Sequence, residues 1–101
     1  MSSGSIGEIK KLLEKNKEEL KRKYKLKEIG IFGSYIRDEQ KETSDIDILV
    51  EFENDAELSL LDFIGIEQEL SDLLGVKVDL VEKKTLKPHI GEQIKREVVY
   101  L

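Results

Sequence analysis

Asp45-Ile46-Asp47 puts two carboxylates one residue apart in the run Asp45-Ile46-Asp47-Ile48-Leu49-Val50. Side chains alternate across a strand, so both aspartates share a face if this segment is extended. At roughly 5 Å and an effective dielectric of about 20, they repel by about 3 kcal/mol. Folding gains nothing from that repulsion, and a divalent cation is the natural compensator. Gly33-Ser34 stands ten residues upstream of Asp45. A glycine where a strand ends lets backbone approach a phosphate, and the start of a helix offers N–H groups to an anion. Ser34 adds a hydroxyl. Arg37 follows three residues later, on the same face of a helical turn, and brings a planar cation to the same phosphate. Asp79 is a charge inside the alternating run Val76-Lys77-Val78-Asp79-Leu80-Val81. It joins the aspartate pair if the two strands are neighbours.

Carboxylates beside phosphate donors suit phosphoryl or nucleotidyl transfer. Mg²⁺ takes oxygen ligands and is usually held by few carboxylates together with substrate phosphates. Two such ions can clamp the attacking and leaving oxygens of an in-line displacement. On this reading Asp45 and Asp47 bind metal. Asp79 completes the acceptor side as ligand or general base. Gly33, Ser34 and Arg37 hold the departing pyrophosphate portion.

The elements that must position these groups read as follows. Ser5 and Glu8 match a capping box, and Ile6, Ile9, Leu12, Leu13 and Leu20 recur at helical spacing to about Tyr24. Ile29 to Phe32 is a short buried strand, Ser34 to about Gln40 a short helix, and Lys41 to Ser44 a polar loop. Asp45 to Glu53 is the strongest strand, with Ile46, Ile48, Val50 and Phe52 on its packed face. Ser59 with Asp62 caps a long helix that Gly75 terminates. Val76 to Glu82 is a further strand. Pro88 opens a last helix reaching toward Leu101. The expected architecture is α/β (α+β): one domain over 1–101, a sheet of at least three strands covered by helices. Residues 1–4 receive no structural role.

Bulk properties narrow the function classes. A chain of 101 residues has room for one modest core, and 39% charged residues imply a densely charged surface. A net charge of −5 argues against broad nucleic-acid binding, which needs a basic footprint. The absence of cysteine excludes disulfides and thiolate metal sites. No apolar run reaches the roughly 20 residues of a membrane span, and no signal peptide is visible, so a cytoplasmic location is expected.

Gly33-Ser34, ten residues, then Asp45-Ile46-Asp47 is the Gly-Ser-x10-Asp-x-Asp pattern. With Arg37, Ser44 and the later strand aspartate Asp79, the chain from about Leu26 to Tyr100 resembles the minimal nucleotidyltransferases of the polymerase-β-like superfamily. The resemblance implies a mixed sheet with flanking helices, Mg²⁺ and a nucleoside triphosphate such as ATP, and transfer of a nucleoside monophosphate to a hydroxyl. Many members resemble antitoxins paired with a HEPN-type ribonuclease toxin, whose tyrosine they modify with AMP. A non-catalytic antitoxin acting by occlusion is the main alternative. Transfer to RNA or a small molecule is the third, and the short chain and acidic balance favour a protein acceptor over both. Such relatives often carry small-Arg-Gly after Gly-Ser-x. Here the residues are Ile36-Arg37-Asp38, and the added negative charge implies weaker turnover.

Other residues read as scaffold. His89 beside Pro88 is a capping or surface residue, and Tyr100 a packing residue. Tyr35 is a surface residue or a platform for a base. The basic run Lys21 to Lys27 suits the negative end of a helix dipole. Leu58, Leu60, Leu61, Phe63 and Ile64 read as core, or else as part of a partner interface.

Overall fold

In the computed structural model, residues 6–37 and 45–101 are described. Ser5, Asp38, Ser44 and the far half of the expected short helix lie outside them. The elements run α1 (Ile6–Tyr24), β1 (Leu26–Phe32), β2 (Ile46–Phe52), α2 (Leu60–Leu74), β3 (Val78–Glu82), α3 (Pro88–Glu97) and β4 (Val99–Tyr100). A 3-10 turn, Lys83–Thr85, joins β3 to α3. The sheet order is β3-β2-β1-β4. β1 is antiparallel to β2 and β4, whereas β2 and β3 are parallel, so the sheet is mixed.

Period-two alternation in the strands decides which helix covers which face. Ile29 and Ile31 of β1, Ile46, Ile48 and Val50 of β2, and Val78 and Leu80 of β3 point one way. They bury against Ile9, Leu13 and Leu20 of α1 and Ile66, Leu70 and Leu74 of α2. Phe32 and Leu49 point the other way and meet Ile94 of α3, with Val81, Leu86 and Val98 beside them. The face that carries the aspartates is therefore roofed in its middle by α3. Its two ends carry charge: Asp47 and Asp79 at one, Glu28, Glu51 and Lys83 at the other. Lys83 Nζ lies 3.2 Å from Glu28 and 3.7 Å from Glu51. The Glu28 contact, with Tyr100 beside it, holds the ammonium above the usual lysine range.

The second helix starts and stops as its sequence dictates. Ser59 Oγ accepts from the Asp62 N–H, Asp62 returns a bond to the Ser59 N–H, and Gly75 closes the helix in the left-handed conformation. α2 also covers the outer edge of β3. Ser71 Oγ accepts from the Val78 N–H and Glu67 Oε2 from the Leu80 N–H, each at 3.0 Å. An edge strand otherwise offers unpaired donors to any passing chain.

Five expectations need correction. The last helix does not reach Leu101: it ends at Glu97, and β4 pairs with β1 at Gly30 and Ile31. A Cβ at Gly30 would meet Val98 Cγ2 at 2.7 Å, so the bare backbone there lets β4 close in. Within the described residues, Ser34–Arg37 is a hydrogen-bonded turn rather than a helix. Tyr35 is buried in the core at 5% exposure, so its ring is no platform for a base. Leu60 and Leu61 are 75% and 79% exposed, and Leu58 and Ile64 are exposed too, so the core reading fails for them. Phe63 alone of that group packs against the core. Tyr100 is more exposed than a packing residue, with Lys83 Nζ 5.4 Å from its ring centroid. No described helix is long and apolar enough to cross a membrane.

Candidate active site

The parallel register of β2 and β3 places Asp47 directly opposite Asp79. Both lie on the face that α3 roofs, just beyond its apolar cover. The two carboxylates are close enough for each to feel the other's charge. The Asp47 carboxyl is pushed up to about 6. Burial is the first cause, followed by the negative charges of Asp79 and Asp45, while Arg37 pulls the other way. Asp45 sits just before the first residue of β2 and acts on Asp47 through its charge.

Gly33 follows the last residue of β1 with φ +84°. A Cβ there would collide with the Asp47 carboxylate and stand 2.9 Å from its Cγ. Only glycine meets both demands, the left-handed backbone and the passage of the aspartate across it. The Gly33 carbonyl then accepts from the N–H groups of Ile36 and Arg37, both at 3.1 Å. That closes a single turn carrying Ser34 and ending at Arg37, so Gly33 and Arg37 meet Asp47 and Asp79 at one end of the sheet, whereas Ser34 and Asp45 do not line the cleft they share.

The sequence reading missed Glu97, the last residue of α3. Its Oε1 accepts from the Gly33 N–H at 3.0 Å. Both of its oxygens accept from Arg37 Nη1, at 3.1 and 3.0 Å. One signal was present. An acid at the negative end of a helix dipole, straight after Lys95 and Arg96, is locally unfavourable and calls for a partner.

These groups line a cleft of 360 Å³, charged at Asp47, Asp79 and Arg37 and apolar at Val81, Leu86 and Ile90. A larger cleft, 460 Å³, lies at the far end of β2 between Phe52, Phe63 and Lys84. It contains neither the aspartates nor the Gly33 turn, and size alone assigns it no chemistry. Among the described residues no three acidic, histidine or cysteine side chains form a ready metal cage. The adjacent carboxylates of Asp47 and Asp79 nonetheless fit Mg²⁺, which completes its shell with water and substrate phosphates. Burial first, and then the charges of Asp79 and Asp45, disfavour the ionised Asp47, and a cation relieves that cost.

The comparisons agree with this chemistry. The family model for the nucleotidyltransferase domain matches residues 13–101. The protein adenylyltransferase MntA of Thermococcus cleftensis is 48% identical over 101 residues, covering 100% of both chains. Among solved structures, one provisionally described as a minimal nucleotidyltransferase superposes with TM-score 0.74 at 35% identity, covering 92% of this chain and 95% of that one. A toxin–antitoxin structure with AMP-PNP gives 0.70 at 29% identity, covering 86% and 70%. The Shewanella oneidensis tri-AMPylated HEPN toxin in complex with MNT antitoxin gives 0.65 at 27%, covering 89% and 69%.

Proposed function

We propose, from the premise that this chain belongs to the nucleotidyltransferase family and is an enzyme of that class, that it moves AMP from ATP to a tyrosine hydroxyl of a HEPN-type toxin and so acts as its antitoxin. The observation that carries the chemistry is the meeting of Asp47 and Asp79 beside the Gly33–Arg37 turn. The AMPylated toxin held by a similar antitoxin and the adenylyltransferase relative support a toxin protein as acceptor. AMP-PNP in another neighbour supports ATP as donor.

Each residue then has a task. Gly33 keeps the approach to Asp47 open, and Ser34 and Arg37 hold the β- and γ-phosphates. Asp45, Asp47 and Asp79 would hold Mg²⁺, as one ion or two, which neutralises charge on the transferring phosphoryl group when bound. The acceptor oxygen forms a bond to the α-phosphorus while the bond from that phosphorus to the bridging oxygen breaks. Pyrophosphate leaves on the Arg37 side. The hydroxyl proton passes to the Asp79 carboxylate.

Coexpression tests the catalytic role. The Asp45→Asn, Asp47→Asn double variant, produced together with a HEPN-type toxin that the wild-type protein silences, is expected to lose protection of the cells while still folding. Protection that survives the loss of both carboxylates would mean that the protein silences its partner by occlusion, without transfer.

A further inference from the structure

We propose that Glu97 is a positioning residue for the triphosphate, acting through Arg37 and the Gly33 turn; this rests on the nucleotidyltransferase reading of that turn. The contacts are specific. One carboxylate holds the N–H of Gly33 at 3.0 Å and the Nη1 of Arg37 at 3.0–3.1 Å, so it ties the first residue of the turn to the last. The partners are unequal in freedom. The Glu97 side chain is 19% exposed and Arg37 46%, so the acid is the anchor and the arginine the group being held.

The anchor is rigid for reasons in the fold. Ile94, one turn earlier on α3, is buried against Phe32 and Leu49. The Val98 N–H, immediately after Glu97, donates to the Ile94 carbonyl at 2.8 Å, and the Leu101 N–H donates to Ile29 at 3.0 Å. Glu97 is thus delivered from a packed helix whose exit is stitched into the sheet. An unrestrained arginine spreads over many rotamers, and fixing its guanidinium before the ligand arrives removes that entropy from binding. The Glu97 charge itself opposes a polyphosphate. Its benefit therefore comes through the orientation of Arg37 and the hold on the Gly33 N–H, so most of its effect depends on Arg37.

A double-mutant cycle on the full chain separates the possibilities, with Mg-ATP and Mg-free AMP as calorimetric probes. Ordering one long side chain is worth about 0.5–1.5 kcal/mol, on the order of a two- to tenfold change in Kd. Glu97→Ala is expected to weaken ATP by about two- to tenfold, to leave AMP nearly unchanged, and to lose most of that effect in an Arg37→Ala background. Glu97→Gln, which keeps an acceptor for Gly33, should fall between wild type and Glu97→Ala and covers the case in which alanine fails to fold. Tighter ATP binding in either variant would overturn the proposal and make Glu97 a competing anion. Equal losses with and without Arg37, or for ATP and AMP alike, would reduce it to a structural contact. If Arg37→Ala alone leaves ATP binding intact, it is the phosphate role of the turn that has failed.

Discussion

Asp47 keeps its proton to higher pH than an ordinary aspartate, because burial and two neighbouring carboxylates disfavour its charged form. Its pKa rises from 3.8 to about 6, so between those values the folded state binds more protons than the unfolded one. Stability therefore falls as pH rises through that window, and the whole cost is present above it. Asp47→Asn removes the cost. Discounted for the half-exposure of the group, the gain is about 1 kcal/mol at pH 7.5, or about 4–8 °C in Tm. Thermal melts in chelator at pH 4 and 7.5 measure it, and the gain should vanish at the lower pH. A variant that melts below wild type at pH 7.5 would show that the carboxylate serves the fold. Gly33→Ala acts in the opposite direction. The added methyl meets Asp47 at a backbone φ of +84°, so the variant should lose at least about 1 kcal/mol along with transfer. An alanine variant as stable and active as wild type would mean that the aspartate does not cross that backbone.

Each element shows where local sequence suffices and where it does not. The outer edge of β3 depends on two acceptors lent by α2. Glu67→Ala leaves the part-buried Leu80 N–H without its acceptor, at a cost of about 1–3 kcal/mol. Adding Ser71→Ala uncovers the edge, and size-exclusion chromatography should show self-association of the double variant. A monomer of unchanged Tm would mean that water replaces both side chains. α2 itself was legible end to end, because Ser59, Asp62 and Gly75 are local signals read within one turn. β2 and β3 were legible from alternation, and the parallel register that brings Asp79 to Asp47 was a matter of topology that alternation only permits. β4 was not legible. Two residues carry no period, and Val98 to Leu101 suits a helix end as well as a strand. Its pairing depends on the bare Gly30 across the sheet. Glu97 was missed for the same kind of reason, since its partners lie 60 and 64 residues away and only the packing of α3 brings them together. Tyr35 was misplaced because Ser34–Arg37 folds as a turn that buries its ring in the core, not as the helix expected there.

At the scale of the molecule, chemistry and exposed apolar surface lie at different ends. The aspartates occupy the start of β2, whereas Leu58, Leu60, Leu61 and Ile64 surround the first turn of α2, which faces the end of β2. Those leucines contribute little to the isolated fold. Leu60→Ser with Leu61→Ser should change stability by no more than about 0.5 kcal/mol for each site, against about 2–5 kcal/mol for Leu49→Ala in the layer beneath α3. Denaturant titration gives both numbers, and a large loss from the serine pair would place these side chains in the core after all. The central claim, that one small domain transfers AMP to a protein hydroxyl, is tested most directly by label transfer. The purified chain is incubated with Mg²⁺ and ATP labelled at the α-phosphate in lysate of its own host, and the product is divided between protease and ribonuclease. Label removed by protease alone, and absent with the Asp45→Asn, Asp47→Asn variant, is the expected result. Label removed by ribonuclease, or no macromolecular label while ATP still binds, would contradict it.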